Sequence, residues 1–122
     1  MATIQFSDPG SWVLSGMTLS GKTYWVYKLL CNKEVMFQNP PKKVMYCFSI
    51  WQPIFDKMRN ELNVIFHEGV PSHAEILDFA DDGNHTLICL DDLQHEIVNN
   101  ITIEKLFTQI CHHKRVSVIY IN

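Results

Sequence analysis

An α/β sandwich around a mainly parallel central sheet is the fold class that this sequence predicts, on three observations. The first is Gly16-Met17-Thr18-Leu19-Ser20-Gly21-Lys22-Thr23, which fits the pattern G-x-x-x-x-G-K-[ST]. It lies between the apolar run Trp12-Val13-Leu14 and a segment in which Val26, Leu29 and Leu30 recur at helical spacing. The second is a set of short, nearly all-apolar runs, among them Val44-Met45-Tyr46-Cys47-Phe48 and Val116-Ser117-Val118-Ile119-Tyr120-Ile121. Such runs suit strands buried on both faces of a parallel sheet. The third is Thr86-Leu87-Ile88-Cys89-Leu90-Asp91-Asp92-Leu93, an apolar strand that ends in two carboxylates. Together they form the pattern of a P-loop NTPase three-layer sandwich.

The chain has 122 residues, expected to form a single domain over residues 1–122. That length buries roughly two-thirds of the unfolded surface around one core. A hydrophobic fraction of 47% and a charged fraction of 19% are those of an ordinary globular domain. The net charge of −3 provides no overall basic field, so any contact with nucleic acid must be local. Cys31, Cys47, Cys89 and Cys111 are widely spaced with no C-x-x-C pair, and Cys47 and Cys89 lie inside apolar runs. They are expected as free thiols of a reducing compartment, the latter two buried. The N-terminus lacks a basic region followed by a long apolar run, and no segment approaches membrane-spanning length, so a soluble intracellular protein is expected.

Taken in order, Ile4 to Phe6 can form a short strand, and Ser7-Asp8-Pro9-Gly10 is a turn leading into the strand at Trp12. The first helix is expected from about Lys22 to Leu30. Asn39-Pro40-Pro41 stops any helix and precedes the strand at Val44. Pro53 suits the first turn of a second helix, whose Ile54, Phe55, Met58 and Leu62 share a face. Val64-Ile65-Phe66 follows as a strand. Ser72-His73-Ala74-Glu75 reads as a capping box for a short helix from Ala74 to Phe79, closed by the turn Asp81-Asp82-Gly83-Asn84. After the strand ending in Asp91 comes a helix carrying Ile103, Leu106, Phe107 and Ile110, and then the last strand from Val116.

The chemistry follows from this layout. Backbone N–H groups of residues 16–23 converge on phosphate oxygens at the positive end of the following helix. Gly16 and Gly21 let the backbone curl and approach closely, Lys22 reaches the β- and γ-phosphates, and the Thr23 hydroxyl binds Mg²⁺. An aspartate at the carboxyl end of a later strand holds the metal in such proteins, which assigns Asp91 to Mg²⁺. The adjacent Asp92 is the candidate general base for an attacking water. ATP and Mg²⁺ are therefore the expected cofactors. Cys111-His112-His113 has no second ligand pair at zinc-site spacing, and Lys114 and Arg115 read as a solvated turn between helix and strand, with contact to phosphate or DNA in an assembly as the alternative.

The motif order resembles the packaging ATPases of Polinton and adintovirus-type elements, relatives of the FtsK–HerA superfamily. The resemblance rests on Trp12-Val13-Leu14-Ser15-Gly16 with Gly21-Lys22-Thr23, on Val44-Met45-Tyr46-Cys47 before Trp51-Gln52-Pro53, and on Phe66-His67-Glu68-Gly69-Val70-Pro71. Leu90-Asp91-Asp92-Leu93, Leu106-Phe107-Thr108 and the run from His112 to Ile121 extend it over nearly the whole chain. Met17 and Leu19 stand where that family commonly has proline and glycine, and Lys114-Arg115 where it has Arg-Asn. The resemblance implies ATP hydrolysis coupled to moving double-stranded DNA into a capsid, with capsid components as partners, a ring of subunits as the assembly, and the virion or its assembly site as the location. It also implies that the strand before the loop pairs with the strand after Asp91, and that the family's last strand, which would flank its other side, is missing here. Trp12 to Leu14 are then expected at an exposed edge. Two other functions fit the same residues: an inactive interaction module that uses this edge, and a small-molecule kinase, for which an arginine-rich lid is expected and no arginine cluster is present.

Overall fold

The computed structural model describes residues 10–14, 19–93, 109 and 114–121, with 19 and 20 described by backbone alone. The elements are β1 (Ser11–Leu14), α1 (Leu19–Cys31), α2 (Lys33–Met36), β2 (Lys43–Phe48), α3 (Pro53–Leu62), β3 (Ile65–Glu68), α4 (His73–Phe79), β4 (Thr86–Asp91) and β5 (Val116–Ile121). The five strands form one sheet in the order β1-β5-β4-β2-β3, and every pairing is parallel. The chain is therefore α/β, and among the described residues its sheet is wholly parallel.

Burial along the strands follows their composition. All six residues of β4 are buried, as are most of β2 and β5. Among the described residues β1 and β3 form the sheet edges, and both are half-exposed. Continuous apolar runs thus mark the three central strands. Each parallel connection needs a crossover, and the crossovers cover both faces. On one face, Val26, Leu29 and Leu30 of α1 and Phe55 and Met58 of α3 pack on Tyr46, Leu87, Cys89, Ile119 and Ile121. On the other, Ile76 of α4 and Ala80 pack on Met45, Cys47, Ile88, Leu90, Val116 and Val118. These are the three layers of a sandwich.

Helix boundaries have local causes. Pro53 occupies the first turn of α3, where its missing N–H has no intrahelical partner to lose, and Asn63 ends the helix in the left-handed region at φ 54°. At α4 both halves of the capping box form: Ser72 Oγ accepts from the Glu75 N–H, and Glu75 Oε1 accepts from the Ser72 N–H, each at 3.1 Å. The first helix begins at Leu19, earlier than its apolar face indicates. Leu19 is a good helix former and Gly21, though unfavourable inside a helix, is tolerated in a first turn. The single turn α2 buries no residue, so no periodicity announces it. The strand expected at Ile4 to Phe6 and the helix carrying Ile103, Leu106, Phe107 and Ile110 lie outside the described residues.

A polar brace ties the amino ends of three strands. Ser117 Oγ on β5 accepts from the Gly10 N–H at 3.1 Å and meets His85 Nε2 at 2.6 Å, while His85 Nδ1 lies 2.5 Å from the Asn39 carbonyl. The neutral tautomer that carries its proton on Nδ1 satisfies all three contacts, with the Ser117 hydroxyl donating to Nε2. Cys47 and Cys89 are buried free thiols, as their runs predict, and Cys31 is exposed. Burial pushes both buried thiols above the ordinary range, which keeps them protonated and inert. Among the described residues, no helix is long and apolar enough to cross a membrane.

Candidate functional site

In open parallel sheets, ligand sites form beyond the carboxyl ends of the strands. Here β1 runs toward the amino end of α1, and β4 ends at Asp91 with two strands on either side. The first turn of α1 contains no acidic residue, so its outward N–H groups and positive dipole end are not neutralised from within the helix. Lys22 and Thr23 follow in that helix, and both are buried, at 6% and 0% exposure. A lysine so enclosed needs an anion close by, because burying an ammonium unpaired is costly.

Asp91 is that neighbour. The last residue of β4, it is only 2% exposed. Burial, first, pushes its carboxyl above the ordinary carboxylate range. The Tyr46 hydrogen bond pulls it down, the Asp92 charge pushes it up, and Lys22 and Thr23 pull it down again. Lys22 and Thr23 from α1 and Asp91 from β4 thus act on one another across a chain separation that only the fold closes.

Tyr46 completes the group. Its hydroxyl donates to Oδ2 of Asp91 at 2.6 Å, the length of a charge-assisted O–H···O bond. Oδ1 of the same carboxyl is buried and has no hydrogen-bond partner among the described residues. Burial and the neighbouring Asp91 charge push the phenol far above its ordinary value, so it remains a donor. Its ring is fully buried, with centroids 5.0 Å from Phe55 and 5.6 Å from Phe66.

Asp92 sits differently. It is exposed, in the left-handed region at φ 56°, and its N–H donates to the Ile121 carbonyl at 2.8 Å. This places a second carboxylate on the solvent side of the first, close enough for its charge to be felt at Asp91. Gly21 lies in α1 beside Lys22, and Leu19 and Ser20 contribute first-turn backbone. Gly16, Met17 and Thr18 lie outside the described residues, as do Cys111, His112 and His113.

Among the described residues, no cluster of three or more His, Cys, Asp or Glu could cage a metal. The donor set that does converge is a threonine hydroxyl beside one carboxylate whose buried Oδ1 has no hydrogen-bond partner among the described residues. It fits a cation such as Mg²⁺, which takes one or two protein oxygens and keeps water and phosphate for the rest.

Residue chemistry singles out Lys22, Thr23, Asp91 and Asp92, but gives Tyr46 no role beyond a motif. The reason is register. Tyr46 pairs with Cys89, which shares a face of β4 with Asp91, and that pairing between strands remote in sequence is fixed only by the sheet. Protein-family models, curated proteins and solved structures were each compared with this chain, and none matches it.

Proposed function

We propose that this chain binds ATP with Mg²⁺ at the amino end of α1 and hydrolyses it, as a P-loop NTPase domain of the DNA-packaging type. The observation that carries the reading is the convergence of buried Lys22 and Thr23 with a buried Asp91 whose Oδ1 has no hydrogen-bond partner among the described residues. Residues 16–21 would supply backbone donors to the phosphates, and Lys22 would neutralise the β- and γ-phosphate charge. Thr23 and Asp91 would hold Mg²⁺, which supplies electrostatic stabilisation of charge on the phosphoryl oxygens. Asp92, exposed beside Asp91, would orient and deprotonate the attacking water. Double-stranded DNA, capsid components and a ring of identical subunits are the partners that the motif resemblance implies. The test of binding is a titration of a fluorescent ATP analogue into the wild type and Lys22→Ala in the presence of Mg²⁺. Saturable binding by the wild type alone is expected, and equally weak signals from both would falsify the reading.

A second reading is favoured by β1. Among the described residues it forms a sheet edge, with Val13 65% exposed. Such an edge is a template for strand addition, as an inactive interaction module would use it. Self-association with no phosphate release from ATP would select this alternative.

A further inference from the structure

The buried carboxyl of Asp91 has two oxygens in unequal positions. Oδ2 is engaged by the Tyr46 hydroxyl at 2.6 Å, whereas Oδ1, although buried, has no hydrogen-bond partner among the described residues. The inequality is built into the fold. Tyr46 and Cys89 are register partners on β2 and β4, and Asp91 stands two residues beyond Cys89 on the same face. The phenol ring is fully enclosed against Phe55 and Phe66, so it cannot swing away from the carboxylate without opening the core. A buried acceptor left unsatisfied is unusual in a native protein, and a cation is the ligand that a lone carboxylate oxygen beside a threonine hydroxyl would take.

We propose that Tyr46 is a positioning residue for the metal: by occupying Oδ2 of Asp91 it reserves Oδ1 as a single carboxylate ligand for a small divalent cation. The inference rests on the Mg²⁺-nucleotide reading given above and adds to it the residue that sets the ligation mode. A carboxylate restricted to one oxygen suits the strict octahedral shell of Mg²⁺. It disfavours Ca²⁺, which commonly takes both oxygens of a carboxylate. Partners that orient a metal ligand typically affect metal affinity by about 10–100-fold.

The experiment measures ATP affinity by equilibrium titration in EDTA, in Mg²⁺ and in Ca²⁺, for the wild type, Tyr46→Phe and Ser117→Ala. The phenylalanine keeps the ring and removes only the donor. Ser117→Ala loosens the opposite end of the sheet and reports what destabilisation alone does. In the wild type, Mg²⁺ should tighten ATP binding more than Ca²⁺ does. In Tyr46→Phe the tightening by Mg²⁺ should fall about tenfold, with affinity in EDTA within about twofold of the wild type. Ser117→Ala should keep the wild-type ratio. An unchanged Mg²⁺ ratio in Tyr46→Phe, or an equal loss in Ser117→Ala, overturns the proposal. Equal tightening of the wild type by Mg²⁺ and Ca²⁺ overturns it without any variant. Failure of the wild type to bind ATP at all, by contrast, removes the nucleotide reading itself.

Discussion

Replacing Asp91 by asparagine is expected to stabilise the nucleotide-free protein while removing its response to Mg²⁺-ATP. The wild-type carboxyl is 2% exposed, with one oxygen bonded to Tyr46 and the other without a hydrogen-bond partner among the described residues. Burial raises its pKa above the ordinary value of 3.8, so the folded state resists ionisation of this carboxyl. The substituted amide would keep an acceptor for Tyr46 and carry no charge. The gain comes from the lost charge and not from the Oδ1 position, where the amide would place N–H donors instead. Lys22 loses a neighbouring charge, but the raised pKa already includes that attraction, so the net gain is on the order of 1 kcal/mol, roughly 4 °C in Tm for a domain of this length. The pH dependence has a definite sign. Because the folded pKa is the higher one, the wild type loses stability as pH rises from 3.8 through the folded value. The advantage of Asp91→Asn should therefore be full at neutral pH and shrink as pH falls toward 3.8. Saturating Mg²⁺-ATP should reverse the order: ligand at a hundredfold its Kd adds about 2.7 kcal/mol, roughly 10 °C, to the wild type only. Thermal melts followed by circular dichroism, in EDTA and in Mg²⁺-ATP, measure both halves. An asparagine variant that melts below the wild type in EDTA at neutral pH would refute the reasoning, because the carboxylate would then be a net stabiliser.

Three further outcomes follow from the same geometry. Asp92→Asn should fold normally, since asparagine tolerates the left-handed conformation found there, and should lower phosphate release while sparing ATP affinity. A parallel loss of both would contradict the role assigned to Asp92. Ser117→Ala should lower stability by about 1–3 kcal/mol in urea titrations, because it strips both His85 Nε2 and the Gly10 N–H of their buried partner; an unchanged midpoint would deny the brace. The Glu75 carboxyl is held below its ordinary value by the Ser72 N–H, then by His67 and the Ser72 side chain. Its contribution is thus present above about pH 4.5 and lost as pH falls through the folded value, and Glu75→Gln, which cannot titrate, should flatten that acid limb in pH-dependent melts; an unchanged limb would contradict the assignment.

Much of this architecture is legible in the residues because local rules and the fold agree. Pro53, the Ser72–Glu75 box and the all-apolar run at Leu87 to Leu90 announce their elements through capping chemistry and burial on both faces. Lys22, Thr23 and Asp91 are legible as chemistry, from their spacing around glycines and at a strand end. What the sequence does not convey depends on register or on weak local signals. Tyr46 looks like one more core aromatic until β2 is set beside β4, when its hydroxyl reaches Asp91. The brace joining His85 and Ser117 is hidden in the same way, since a buried histidine and a serine inside a strand carry no mark of each other. The early start of α1 at Leu19 and the single turn α2 bury too little to leave a pattern.

The central claim is that α1 and β4 together make one Mg²⁺-nucleotide site, and calorimetric titration of ATP in Mg²⁺ tests it most directly. The wild type should bind one ATP per chain saturably, and Lys22→Ala, still folded by circular dichroism, should give no binding isotherm. Heats that are indistinguishable between the two proteins would contradict the account.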